Sequence, residues 1–297
     1  MLKKRNLGKS NLKISQLSLG CMSLPSEKKE AAYVIEAALD AGINYFDTAD
    51  LYHLGVNEEI VGELLKSHRQ DLLIATKVGN RWVDGQDGWT WDASPSYIKQ
   101  AVKNSLRRLQ TDYIDVYQLH GGTQADHWPE IIETFEELKR DGVIREYGIS
   151  SIRPNVFIPF AEKSQAISNM MQFNLLDQRA GEWFDMLESQ GLSVVTRGSI
   201  AKGLLTNEWR TRLQDYMSYP KQHLVDVLTQ LEETCGDVHA AALAFNLHYP
   251  TVASTVIGAR TKEQLQQNLR AYEKAQQLSN VDEMLTFTRQ DRYTEHR

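Results

Sequence analysis

The chain has 297 residues and a mass of 33.9 kDa, 41% of them hydrophobic and 24% charged. At that length roughly three quarters of the unfolded surface can be buried, so disulfide or metal staples are not needed. The 33 basic residues against 39 acidic, net −6, argue against a nucleic-acid or membrane-surface binder but leave room for a local basic pocket that takes a phosphate.

The longest apolar run, 240–245, is far below the roughly 20 residues a bilayer requires. Lys3-Lys4-Arg5 precedes no apolar h-region, so no signal peptide is expected. Cys21 and Cys235 lack metal-ligand spacing and read as reduced thiols of a cytoplasmic protein.

Residues 2–15 read as a β-hairpin turning at Gly8-Lys9-Ser10-Asn11. Short apolar, β-branched runs then recur at 16–20, 43–46, 72–76, 113–119, 143–149, 169–173, 192–196 and 254–257. Several are apolar on both faces, as strands of a parallel sheet covered on both sides should be. Stretches of helical period alternate with them. The first, 28–41, buries Ala32, Val34, Ile35 and Ala38 and stops at Gly42; 58–67 follows, and 96–110 is opened by Ser94-Pro95. Gly142 closes 129–141 and Gly191 closes 181–190, after which 238–247, 262–271 and an extra helix at 281–292 complete the series.

This βαβα order implies right-handed crossovers and a parallel sheet, either a closed eight-stranded barrel or an open doubly wound sheet. The count of eight favours the barrel. So does the absence of a G-x-G-x-x-G after any strand, and so do polar residues at many strand ends instead of at one switch point. The expected fold is α/β: a (β/α)8 TIM barrel with an N-terminal β-hairpin under its floor and extra C-terminal helices, a single domain over residues 1–297.

In a barrel the loops after the strands carry the chemistry. Asp47, Lys77 and His120 end three consecutive strands, and Tyr52 lies five residues beyond Asp47. A free phenol titrates near 10, too high for proton transfer at neutral pH. An ammonium within about 4–6 Å stabilises the phenolate, a carboxylate offsets the cost of burying that ammonium, and a histidine can hold a carbonyl oxygen toward the phenol. Such a set suits reduction of a C=O group by an external hydride donor. Taken singly, each residue has a plainer reading: Asp47 as a helix cap, Lys77 as a solvated strand end, His120 as a turn residue, Tyr52 as an interfacial aromatic. Only the set is specific.

The run Gly42-Ile43-Asn44-Tyr45-Phe46-Asp47-Thr48-Ala49-Asp50-Leu51-Tyr52 followed by Asn57-Glu58-Glu59 resembles the aldo-keto reductase signature. Ala75-Thr76-Lys77 and 112–120 resemble that family's next two blocks, and the likeness spans essentially the whole chain. Within the family it is most similar to bacterial YqkF-like oxidoreductases, notably over 77–82 and 148–154. The resemblance implies an NADPH-dependent carbonyl reductase whose tetrad is Tyr52, Lys77, Asp47 and His120.

It also implies a cofactor site. Cys21, Met22 and Asp47 belong to it by position. Ser150 and Ser151 stand where the family usually has Ser-Asn for the nicotinamide carboxamide, and Gln172 matches the family's glutamine for the same amide. Arg197, Gly198, Ser199, Ile200, Lys202 and Gly203 match the loop over the pyrophosphate, with Arg197 where an aromatic is common. In Gly258, Ala259, Arg260, Thr261, Gln264, Gln267 and Asn268 a strand end meets a helix N-terminus and a guanidinium. Arg260 there can bind a 2′-phosphate bidentately, which favours NADP(H) over NAD. Ile257 replaces the proline common in the family, and a plainer reading of this stretch is a capped surface helix.

Trp82, Trp89 and Trp91 in the loop 79–94 suggest an apolar substrate wall, or equally the packing of that loop on the barrel. His53 and Trp128 are further rim candidates. The expected activity is reduction of an aldehyde or ketone, with a small-molecule carbonyl substrate and no metal, nucleic-acid or membrane partner. Two other readings stand beside it. One is an NADP-binding regulatory protein like the potassium-channel β-subunits, and the other a barrel lyase using Lys77 as a Schiff base.

Overall fold

A computed structural model describes residues 2–83, 85 and 88–296; Asp84, Gln86 and Asp87, part of the loop expected to shape the substrate wall, lie outside the described residues. β1 (Lys4–Asn6) and β2 (Lys13–Ser15) form the expected antiparallel hairpin. Lys9 N donates to Gly191 O and Gly8 N to Ser193 Oγ, which ties the hairpin tip to the start of a barrel strand. Its Leu7, Leu12 and Ile14 are buried against the barrel interior, closing the floor.

The strands continue as β3 (Leu17–Gly20), β4 (Tyr45–Asp47), β5 (Leu73–Val78), β6 (Asn80–Trp82), β7 (Trp89–Trp91), β8 (Ile114–Leu119), β9 (Ile144–Ile149), β10 (Ser168–Gln172), β11 (Ser193–Arg197) and β12 (Val252–Ile257). All but β6 and β7 form one closed parallel barrel in which β12 pairs with β3, so the eight expected strands are present and in the expected order. β6 and β7 are a small antiparallel hairpin inside the third loop, a pairing the periodicity did not predict.

Side chains alternate with period two along each strand. Tyr45, Ala75 and Val116 face the lumen with Met170 and Val195, whereas Phe46, Ile74 and Tyr117 face the surrounding helices. The same parity, carried two residues toward the C-terminal ends, brings Asp47, Lys77 and Gln118 to the lumen's upper layer. That layer is where barrel sites are built.

The helices are α1 (Lys28–Asp40), α2 (Val56–Leu65), α3 (Pro95–Leu109), α4 (Trp128–Arg140), α5 (Pro154–Lys163), α6 (Phe184–Ser189), α7 (Trp209–Arg212), α8 (Lys221–Cys235), α9 (Val238–His248), α10 (Lys262–Ala275) and α11 (Val281–Phe287). In α3 the Ser94 hydroxyl accepts from Tyr97 N, Pro95 opens the first turn, and Ile98, Ala101, Val102, Ser105 and Leu109 form the buried stripe. In α1 the buried face includes Ala31, with Ala32 only half-buried.

α5, α7 and α8 lie outside the predicted series. α5 carries an internal proline, Pro159, which masks it as a helix. α8 is an insertion beyond the strand–helix alternation, although Leu224, Val227, Leu228 and Leu231 form a helical stripe. α11 is shorter than expected, because after Phe287 the chain turns extended and Arg289 N donates to the Tyr219 hydroxyl.

Candidate active site

Lys77 stands inside β5, not after it, and is almost wholly buried (1% exposed). Its ammonium donates to Asp47 Oδ2 at 2.7 Å, to the Thr48 carbonyl at 2.6 Å and to the Tyr52 hydroxyl at 3.2 Å. Three acceptors satisfy three N–H bonds. Burial works against the Lys77 charge, but the attraction of Asp47 and then Tyr52 outweighs it and raises the lysine above its ordinary range. Gln118 Nε2 donates to the other Asp47 oxygen at 3.3 Å and so orients the carboxylate.

His120 follows β8 and faces Tyr52 edge-on, with ring centroids 6.1 Å apart. Its backbone is held twice, by His120 N donating to Val78 O at 2.7 Å and by Asn80 Nδ2 donating to His120 O at 3.1 Å. Burial, then the charges of Lys77 and Arg197, push the imidazole down to about 3, so it is neutral at physiological pH. The four candidate residues therefore meet, though 73 positions separate Asp47 from His120.

They line a cavity of about 830 Å³ with Met22, Ser150, Ser151, Arg197, Gly198, Ser199 and Ile200. A second cavity, about 550 Å³, is lined by Gly203, Ala259, Gln264, Gln267 and Asn268. The two share Ser23, Ile200, Lys202, Gly258 and Arg260, and so form one cleft running from Tyr52 toward α10. At the junction stand two cations, Lys202 and Arg260, and the N-terminus of α10, capped by the Thr261 side chain accepting from Gln264 N. The Arg260 guanidinium has no partner among the described residues. An elongated group with an anionic centre, such as a nicotinamide dinucleotide, fits this distribution of donors.

Cys21, Gln172 and Thr261 are not at the cavity wall, and polar groups of Gln264 and Ser151 are engaged within the protein. Cys21 is fully buried beneath that wall. Gln172 donates to Asp177 Oδ2 at 2.7 Å and accepts weakly from Arg197, outside both linings. Thr261 spends its hydroxyl on the α10 cap. Gln264 accepts from Arg260 N at 2.8 Å, which holds the turn. Ser151 N donates to Asn169 Oδ1 at 3.2 Å, an asparagine from the next strand over.

Of the tryptophans, Trp89 and Trp91 line the first cavity, whereas Trp82 lies outside it and donates to Leu51 O at 3.3 Å. His53 is exposed and lines neither cavity, and Trp128 is a core residue packed on Phe160, not a rim residue. Gln118 and Asn80 join the site beyond the expected residues, and the parity of Gln118 with Val116 is the signal in the chain that marks it. Among the described residues, no cluster of His, Cys, Asp and Glu could hold a metal ion, and no helix is long and apolar enough to cross a membrane.

The chain is similar to known proteins over its full length. The chain is 49% identical to the uncharacterized oxidoreductase YqkF of Bacillus subtilis (strain 168), covering all of both chains. It is 31% identical to the uncharacterized oxidoreductase YrpG of the same organism, over 90% of each. Its structure superposes on the holo form of aldo-keto reductase AKR11C1 from Bacillus halodurans with a TM-score of 0.94 and 46% identity, covering 100% of this chain and 99% of that one. The aldo/keto reductase family model matches residues 16–285, and the chain belongs to the aldo/keto reductase family.

Proposed function

We propose that this protein reduces an aldehyde or ketone to an alcohol with NADPH, and that Tyr52 is the general acid. The observation that carries the reading is the Lys77 ammonium, buried, paired with Asp47 and 3.2 Å from the Tyr52 hydroxyl. A reduced nicotinamide, when bound, supplies the hydride that adds to the carbonyl carbon. Tyr52 gives its proton to the carbonyl oxygen, and Lys77 stabilises the phenolate left behind. Neutral His120 orients the oxygen by hydrogen bonding without competing as an acid. Asp47 and Gln118 keep Lys77 in place, and solvent returns the proton to Tyr52.

On this reading Ser150, Ser151, Ser199 and Lys202 hold the nicotinamide and pyrophosphate ends, while Arg260 at the start of α10 takes the 2′-phosphate of NADP(H). Trp89 and Trp91 shape the substrate side. A Schiff-base role for Lys77 is disfavoured, because that chemistry needs a neutral amine and this one is held charged by its acceptors. We further propose a single domain and a cytoplasmic location, the latter in keeping with two unpaired thiols.

The test is Tyr52→Phe. NADPH oxidation with a panel of aldehydes should disappear while NADPH quenching of tryptophan emission stays near wild type. Wild-type turnover in the variant would refute the assignment of the acid. Tight NADPH binding by the wild-type protein without turnover of any aldehyde would favour a nucleotide-binding regulator.

A further inference from the structure

Behind the Tyr52 segment lies a buried cluster that the proposed reaction does not use. Asp50, nine-tenths buried, and Glu58, fully buried, stand close together. Glu58 is satisfied as a carboxylate: Arg108 Nε donates to one oxygen at 2.6 Å and the Thr76 hydroxyl to the other at 2.5 Å. Asp50 is not. One of its oxygens accepts from the Leu51 backbone N–H, but Oδ1 is buried without a hydrogen-bond partner, as is the hydroxyl of neighbouring Tyr117. The groups facing Asp50 are Glu58 on α2, Arg108 and Tyr97 on α3, Lys77 on β5 and Tyr117 on β8. Arg108 is already engaged by Glu58 and Lys77 by Asp47. The cluster therefore holds one carboxylate more than its cations serve, and a buried excess charge is relieved by taking a proton.

Asp50 is also linked mechanically to the phenol. Its backbone N donates to Lys77 O at 3.4 Å, and only Leu51 separates it from Tyr52. Beyond Tyr52 the chain passes through three left-handed residues, His53, Leu54 and Gly55, at φ 48°, 57° and 90°. A Cβ on Gly55 would lie 2.8 Å from the Arg108 side chain, so the turn rests directly on that arginine. Segments held in such conformations persist only while their surroundings enforce them.

We infer that Asp50, kept as the neutral acid against Glu58 and Tyr117, is a positioning residue for Tyr52, and that losing its proton shifts residues 50–54 and draws the Tyr52 hydroxyl off Lys77. This rests on the reading of Tyr52 as the proton donor. Burial, with the charge of Glu58 adding to it and Arg108 opposing, pushes the Asp50 carboxyl up to about 8, so the change falls just above neutral pH.

The test is the pH profile of kcat/KM for aldehyde reduction. For one group titrating near 8, the wild-type value should fall about thirty-fold between pH 7 and pH 9.5. In Asp50→Asn, which imitates the neutral acid, the fall should shrink to under about threefold. Glu58→Gln removes the like charge and frees Arg108 for Asp50, so the midpoint should move to lower pH. An unchanged basic limb in Asp50→Asn overturns the inference. If Asp50→Asn does not fold by circular dichroism, the Glu58→Gln midpoint decides: an acid shift supports it and an unmoved midpoint overturns it. Tyr52→Phe separates the two failures. Turnover in that variant removes the acid assignment and this inference together, whereas a dead Tyr52→Phe with an unchanged limb in Asp50→Asn removes only this one.

Discussion

The ring of Trp91 fills the space that a side chain on Gly79 would need: a Cβ there would lie 2.6 Å from Trp91 Cζ3. Gly121 forms a second notch, 3.2 Å from the same atom. Trp91 Nε1 donates to Asp126 Oδ1 at 2.8 Å, and the other oxygen of that aspartate accepts from Thr123 N at 2.6 Å. The β6–β7 hairpin is thereby docked on the loop after β8, and Trp91 becomes a fixed wall beside His120.

Gly79→Ala should dislodge that wall. The residue sits at φ 126°, disfavoured for alanine, and its methyl would meet the indole. A cost of about 1–3 kcal/mol is expected from overpacking and strain, seen as a lower Tm. KM for an aldehyde should rise severalfold with NADPH affinity unchanged. An unaltered KM would mean that Trp91 does not shape the substrate side.

Removing the buried cation should reveal its pairing. Lys77→Met leaves Asp47 as an uncompensated buried charge and should cost about 3–5 kcal/mol in urea unfolding. The double variant Asp47→Asn, Lys77→Met should recover most of that stability, because no lone charge remains. Neither protein should oxidise NADPH with an aldehyde. A double variant no more stable than the single one would show that the pair is not the source of the loss.

Acid stability should carry the mark of His120. Its imidazole is pushed down to about 3, whereas the unfolded chain takes up that proton near the ordinary histidine value of about 6.5. Between those limits the unfolded state binds more protons, so stability falls as pH falls, by at most about 1.4 kcal/mol per unit from this group. His120→Asn should flatten that part of the profile when urea midpoints are compared from pH 4 to pH 7. An identical acid slope in the variant would contradict the buried neutral imidazole.

Cofactor preference should depend on one guanidinium. Arg260→Ala should weaken NADPH binding roughly 10- to 100-fold, as expected for losing charge-assisted bonds of about 1.5–3 kcal/mol. NADH binding should change little. Parallel titrations of tryptophan emission with the two nucleotides read the difference, and an equal loss for both would move the 2′-phosphate contact elsewhere.

Much of this molecule is readable along the chain. Strands covered on both faces are apolar throughout, and amphipathic helices carry their stripe wherever they pack, so both signals are local and survive without knowledge of the fold. Parity is local too: Asp47 follows Tyr45, Lys77 follows Ala75 and Gln118 follows Val116 on one face of each strand. The eight strands and the strand-end candidates were legible for these reasons. The helix from Pro154 to Lys163 was obscured by Pro159, and that from Lys221 to Cys235 by the expected alternation of elements.

Local residue patterns dictate the order of elements and the face on which each polar residue lies. Only closure of the barrel decided which of them touch, because the Lys77–Asp47 bond spans 30 positions and the Gln118–Asp47 bond 71. The same closure withdrew Cys21 beneath the cleft, turned Gln172 onto Asp177 and seated Trp91 in two glycine notches. Period and propensity act over a few neighbours, whereas burial, pairing and steric fit depend on segments that meet only when the sheet has closed.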